Sequence, residues 1–403
     1  MSDLFWPGDE RADGLMDDAA LLAAMVQVEQ AWLDALVEVG VAPATAGGST
    51  LDRLVGYDDI ALLSRNAAAT GNPASGLVAL LRERTDGEVA RWLHRGLTSQ
   101  DVVDTALVLL LRDALARVDA DLRAQLARLA DLATTHRDDP IVGRTLTQHA
   151  VPVTVGVKLA TWITSVADAW DEIDRTRGRL VLQAGGAAGT LAASVELAGS
   201  SETALAVVEH AAGSLDLPVA PPWHTARSLV TRVGDALVTC TDAWGRIAAD
   251  VATLSRPEIA ELSEASGGGS STMPHKSNPV LAVLLRRAAL TGPGLASTLH
   301  LAAATSVDER PDGAWHAEWS TLQLLGRRTV VAASQATDLL AGLEVHVGRM
   351  RANLDRAEGV DAEQRSMASL TGRGSDGSAY TGIAGDLTDT AIGRARRIAE
   401  GHA

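Results

Sequence analysis

The chain has 403 residues, 46% of them hydrophobic and 21% charged, enough apolar material for a large core and a composition that excludes disorder. Its formal net charge of -16, with no Lys/Arg run, excludes nucleic-acid binding driven by phosphate contacts. A protein of this charge that handles an anion must build a local cationic pocket.

The N-terminus, "MSDLFWPGDERADG", is polar and acidic and lacks the apolar region of a signal peptide. The apolar run Ala19 to Val26 is short of the ~20 residues that span a bilayer, so no membrane partner is expected. Residues 1–98 read as a domain of shorter helices, broken at "GVAPATAGGS" and "GNPASG". From Asp101 onward Leu107, Leu111, Leu115, Val118, Leu122, Leu126 and Leu129 trace one helical stripe, with no Gly or Pro until Pro140. A second long helix is predicted from Pro152 towards Gly178, and a third over Leu229 to Leu254, stopping at Pro257. Two more run from Pro279 to about Thr291 and from Trp315 to about Met350. No strand-like alternation of useful length is seen.

An aromatic content of 3% favours helix on helix over a β-sandwich, so the expected fold is all-α. Its central bundle of long helices covers 99–345, and 346–403 form a short, polar C-terminal helical domain. Helices several-fold longer than the ~11–12 residue average imply an extended bundle, often completed by other subunits. Cys240, alone in the chain, lies on an apolar stripe and excludes an internal disulfide framework; a reducing cytoplasm is the expected compartment.

Three polar stretches interrupt the helical pattern. In "HRGLTSQDVVDTA" (94–106), Thr98 and Ser99 stand ahead of the long helix and Asp101 falls in its first turn. That composition makes an N-cap, and the same geometry of exposed N–H groups and hydroxyls makes a carboxylate site. "GRTLTQHAVPVTVGVK" (143–158) gathers Arg144, Thr145, Thr147, Gln148 and His149, the last as readily a structural histidine as a functional one. "SGGGSSTMPHKSNPV" (266–280) combines glycines with hydroxyls, Lys276 and Asn278, and Pro279 starts the next helix. Such a loop can close over an anion and exclude water. "GGAAGT" (185–190) lacks the spacing of a dinucleotide loop and a preceding strand, and the histidines show no metal-binding pattern. No cofactor and no metal are expected.

"GSSTMPHKSNP" resembles the signature of the fumarase/aspartase superfamily, and the other two stretches resemble its remaining conserved blocks in the same order. "TSQD", "GRTLTQHAVP", "PPWHTAR" (221–227) and "GAWHAEW" (313–319) are most similar to its bacterial 3-carboxy-cis,cis-muconate cycloisomerases. The resemblance covers roughly residues 15 to 350 and fades in the C-terminal region.

The resemblance implies an all-α homotetramer in which three chains supply the three blocks of each active site. It implies proton transfer next to a carboxylate of a tricarboxylate substrate, through an enolate-like dianion. On it, Ser270 is the general acid or base, and Lys276 and Asn278 hold the carboxylate that takes up charge. Thr98, Ser99 and Gln148 orient substrate carboxylates, with His94, His149, Ser271 and Met273 contributing to the pocket and Arg227 an extra cation. His275 is a supporting residue, and packing and functional roles stay open for His316 and Glu318.

Adenylosuccinate lyase-like relatives carry His after "GRT", the acid for a leaving amine; here that position is Leu146. A carboxylate nucleophile, with a pKa of ~4, needs no such partner. Leu146 therefore fits lactonisation and is awkward for amine elimination. A succinyl-amine lyase of the superfamily and a non-catalytic structural descendant are the alternatives.

Overall fold

A computed structural model describes residues 3–265, 268, 269, 273, 276–372 and 380–401. The elements in chain order begin with α1 (Asp18–Glu38), α2 (Ile60–Thr70), α3 (Pro73–Glu83), α4 (Gly87–Trp92) and α5 (Ser99–Thr135). A hairpin of β1 (Pro140–Thr145) and β2 (Gln148–Thr154) leads into α6 (Val155–Arg177). Then come α7 (Ala192–Ala198), α8 (Ser201–Ser214), α9 (Ser228–Leu254) and the short strands β3 (Leu262–Glu264), β4 (Gly268–Gly269) and β5 (Ser277–Asn278). The chain ends with α10 (Val280–Ala304), α11 (Gly313–Ala341), β6 (Leu343–Val345), α12 (Val347–Arg356), α13 (Ala362–Thr371) and α14 (Ala384–Ala399). The fold is all-α, as the sequence predicts.

The predicted stripe on α5 is the buried one: Leu107, Leu111, Leu115, Val118, Leu122, Leu126 and Leu129 are each at most 5% exposed. Each contributes about 1.5–3 kcal/mol, so this single stripe is a major share of the core. Cys240 is fully buried on α9, and burial pushes its thiol up, leaving it an inert core residue.

Three expectations about the elements are corrected. The second block begins in an antiparallel hairpin, not directly in a helix: Pro140 pairs with Thr154 and Thr145 with Gln148, with a bulge between Val142 and Arg144. A Cβ on Gly143 would come within 2.6 Å of the Val151 carbonyl oxygen, so this irregular register needs glycine. Next, α10 does not stop at Thr291 but runs through Pro293 to Ala304. Third, α11 ends at Ala341, because the following residues pair β6 with β3, Leu343 opposite Glu264.

The chain divides into two compact units. Unit 1 comprises residues 1–116, 175–235 and 294–328, and unit 2 comprises 117–174, 236–293 and 329–403. The boundaries fall inside the long helices, including at Pro293. By length and composition α1 and α10 are long and apolar enough to cross a membrane, unlike the short run noted above. In unit 1, α1 is a core helix that buries Leu22, Met25, Val26, Trp32, Leu33 and Leu36.

Candidate active site

In unit 1 the first block is held by a buried carboxylate. Asp101 is fully buried at the start of α5, and its Oδ2 accepts the Thr98 N–H at 2.9 Å. The Gly185 and Gly186 amides donate to the same carboxylate at 2.9 Å each, and Gln183 Nε2 donates at 3.1 Å. His224 Nε2 sits 3.0 Å from Oδ1 and must carry the ring proton, because a carboxylate only accepts. The glycine loop rejected as a nucleotide site is thus the wrapping of Asp101. A Cβ on Gly185 would approach His224 Cε1 to 2.7 Å and Pro222 Cβ to 2.8 Å, so only glycine lets this loop close.

Asp101 caps α5 and fixes the Thr98–Ser99 turn together, so the cap and site readings of this stretch are compatible. Ser99 Oγ lies 3.3 Å from Ser75 Oγ at the start of α3, and the Arg310 guanidinium donates to the Thr98 hydroxyl. Arg310 and Ser75 were not singled out from the sequence. Arg310 sits 212 residues from Thr98, and its loop "TSVDERPDG" carries no periodic signal.

Arg227, expected as an extra cation for the substrate, is committed to partners inside unit 1. Its side chain is fully buried, donating to Asp104 Oδ2 at 2.7 Å and to both oxygens of Glu318, the shortest at 2.5 Å. Asp104 also accepts from Trp315 Nε1 at 2.9 Å and Gln100 Nε2 at 3.1 Å. Burial pushes the Glu318 carboxyl up; Arg227 pulls it back only in part, and Asp104 adds to the push. Burial opposes the Arg227 charge, but the two carboxylates outweigh it and hold the guanidinium more firmly protonated than usual. Every donor edge of Arg227 is spent on supporting α5 and α11 from within. His316 reaches the Gly71 carbonyl through Nε2 at 2.7 Å, tying the start of α11 to the α2–α3 corner.

His94, just ahead of Thr98, carries a positive φ of 62°. Its Nδ1 is 2.6 Å from Oε1 of Glu29 on α1, a fully buried carboxylate. Burial alone would lower the His94 pKa, but the charge and hydrogen bond of Glu29 overcome it, so the net shift is upward. Glu29 was missed, though a signal was present. It occupies an apolar register position of α1, in line with Leu22, Met25, Trp32 and Leu36.

In unit 2 the second block stands outward. Leu146 and Thr147 form a two-residue turn with φ of 47° and 70°, the primed geometry that ordinarily takes Asn-Gly. Leu146 is 96% exposed, and Gln148 and His149 are exposed beside it. Arg144 is drawn inward by a two-pronged pair with buried Glu261, at 2.8 and 2.9 Å. The hairpin borders a cleft of about 820 Å³ lined by Thr147, His149, Lys158, Arg246, Arg256 and Arg356. Asp250 and Glu258 share this lining, and Asp250 pairs with both Lys158 and Arg246.

Of the third block, Asn278 pairs with Gly268 across β4–β5, Lys276 is exposed and its backbone N–H donates to the Met273 carbonyl at 3.0 Å. Met273 is 41% exposed. Ser270, Ser271 and His275 lie outside the described residues. Glu264 anchors the start of α10, accepting the Leu281 and Ala282 N–H groups at 3.1 and 2.8 Å. The structure thus gathers His94, Thr98 and Ser99 in unit 1, and carries Gln148, His149, Met273, Lys276 and Asn278 on unit 2. No group of three or more His, Cys, Asp or Glu side chains suited to a metal ion occurs among the described residues.

Comparison with known proteins adds the following. The Lyase family matches residues 18–292. A nitrosuccinate lyase from Streptomyces davaonensis is 41% identical over 373 residues, 89% of this chain and 78% of that protein. A 3-carboxy-cis,cis-muconate cycloisomerase from Pseudomonas aeruginosa is 42% identical over 364 residues, 88% of this chain and 78% of its own. The crystal structure of 3-carboxy-cis,cis-muconate lactonizing enzyme from Pseudomonas putida superposes with a TM-score of 0.82 at 32% identity, covering 96% of this chain and 97% of that one.

Proposed function

Because the chain belongs to the Lyase family, within the fumarase/aspartase superfamily, we propose that it is a cycloisomerase converting 3-carboxy-cis,cis-muconate into 4-carboxymuconolactone. The observation that favours this reading over amine elimination is Leu146, and the muconate-handling relatives direct it to this substrate. The hairpin tip, where amine-eliminating relatives carry a proton-donating histidine, offers an exposed leucine. A reaction run through that tip must use a nucleophile or leaving group that is already a weakly basic anion.

In the proposed reaction a substrate carboxylate oxygen bonds to the conjugated double bond. The displaced electron pair passes onto the carbon next to a second carboxylate, as an enolate-like dianion. Ser270 delivers a proton to that carbon and is reprotonated from solvent, so the tricarboxylate takes up one proton to give a lactone dicarboxylate, and the two are isomers as free acids. Lys276 and Asn278 stabilise the charge that develops, and Thr98, Ser99 and Gln148 orient the remaining carboxylates. The site is completed by association of four copies in the cytoplasm, with blocks from different chains. The apolar face of α10, with Val283 55%, Leu290 81% and Leu301 65% exposed, supports such association. No cofactor takes part.

A second reading is favoured by the nitrosuccinate lyase similarity. Nitrite, like a carboxylate, leaves as a weakly basic anion without a proton donor, so Leu146 fits its elimination too. The assay that separates the two offers each substrate to the purified protein. Loss of the muconate diene ultraviolet absorbance, with no nitrite released from nitrosuccinate, is expected. Nitrite release with an unchanged muconate spectrum would replace the first reading by the second.

A further inference from the structure

Glu29 is the least explained charge in unit 1. It is fully buried in the apolar stripe of α1, and its Oε2 has no hydrogen-bond partner among the described residues. A buried carboxylate costs several kcal/mol unless a cation offsets it, and a protein selecting stability alone would carry an apolar residue here. The group hydrogen-bonded to it is His94, at 2.6 Å.

The segment bearing His94 is gripped at three consecutive residues. Arg82 donates to the Leu93 carbonyl at 2.8 Å, Glu29 holds the His94 ring, and Trp32 Nε1 donates to the Arg95 carbonyl at 2.7 Å. These contacts hold His94 in the left-handed region, which costs a non-glycine residue about 1 kcal/mol or more. With Nδ1 engaged by Glu29, Nε2 is the ring nitrogen left for a ligand, and the side chain keeps 17% exposure. The charged groups bearing on the ring are Glu29 on α1, Arg82 on α3 and Asp101 on α5. Two are carboxylates, and Glu29 is in direct contact.

We propose that Glu29 is a positioning residue that keeps His94 as an outward-facing imidazolium, the cation of the first block that receives a substrate carboxylate. The assignment rests on the reading of this block as a carboxylate site. It fills the role that Arg227 cannot, since that guanidinium is consumed by Asp104 and Glu318. His94 and Arg310 then flank Thr98 and Ser99 as a cationic rim around two hydroxyls. The His94 charge is removable, so binding through it carries a pH signature that an arginine would not give.

The test is Glu29→Gln, which keeps the volume and removes the charge. KM and kcat for 3-carboxy-cis,cis-muconate, and calorimetric affinity for the unreactive tricarboxylate tricarballylate, are measured from pH 6 to 8.5. At pH 8 the variant is expected to raise KM and weaken tricarballylate about tenfold, with kcat changed less than about threefold. The deficit in KM and in tricarballylate affinity is expected to shrink steadily from pH 8 to pH 6, because the imidazole takes its proton only at lower pH once Glu29 is gone. A loss equal at every pH, or a fall in kcat with KM and affinity unchanged, would overturn the proposal. If the muconate is not turned over, the cycloisomerase reading fails alone, and the tricarballylate titration still decides the role of Glu29.

Discussion

Asp101 and Leu146 belong to the first and second polar blocks of the sequence and are built in opposite ways. Asp101 is fully buried, and N–H groups from Thr98, Gln183, Gly185, Gly186 and His224 converge on it. Leu146 is 96% exposed, on a turn that forces positive φ on a leucine and on the β-branched Thr147. In unit 1 the polar groups are over-determined from within, and His94, Thr98 and Ser99, the proposed carboxylate-binding residues, belong to that network. In unit 2 the block-two side chains stand out from the chain that carries them. The difference is that of a socket and a tip, and in the proposed four-copy assembly the strained tip is the part that reaches another chain.

The largest expected effect breaks the socket. Arg227→Ala leaves Asp104 and Glu318 buried without their cation, and a loss of about 3–5 kcal/mol is expected, read as a lowered denaturation midpoint. A loss under about 1 kcal/mol would mean that the network is not the support of this unit. A smaller effect of opposite sign is expected at the tip. Replacing Leu146-Thr147 by Asn-Gly relieves two left-handed residues and is expected to raise stability by on the order of 1 kcal/mol while activity falls. Stability that falls with activity unchanged would make the turn an ordinary one.

The smallest effect sharpens the socket through pH. His94 has its pKa raised in the folded chain, so its pairing with Glu29 stabilises the fold fully below the ordinary histidine range. That contribution is lost as pH rises through the folded value. The midpoint of the parent protein is expected to fall more between pH 6 and pH 9 than that of Glu29→Gln. Parallel pH profiles for the two proteins would refute the coupling.

The same contrast separates what was legible in the sequence. The long helices could be read because one stripe with spacings of three and four persists through α5 and α9, a periodic and local signal. The hairpin could not, because β1 and β2 are short, polar near the turn and interrupted by Pro152, so no alternation accumulates. The run of α10 through Pro293 was hidden because Gly-Pro-Gly ordinarily breaks a helix, and packing overrides that preference here. The site blocks were legible as residue types. What each residue faces was not, since Arg227 meets Asp104 at a separation of 123 residues and Glu318 at 91. Glu29 stood in plain view as a charge in an apolar register.

Complementation between two inactive variants tests the socket-and-tip account most directly. Thr98→Ala disables the first block and Gln148→Ala the second, and each alone is expected to lose nearly all turnover of the muconate. If each site takes these blocks from different chains, equal mixing with random reassembly leaves both contributed blocks unmutated at half times half of the sites. Recovery of about a quarter of the parent activity is then predicted. Mixed assemblies, verified by dual-tag purification, that stay as inactive as the separate variants would show that both blocks of a site come from one chain, and would contradict the account.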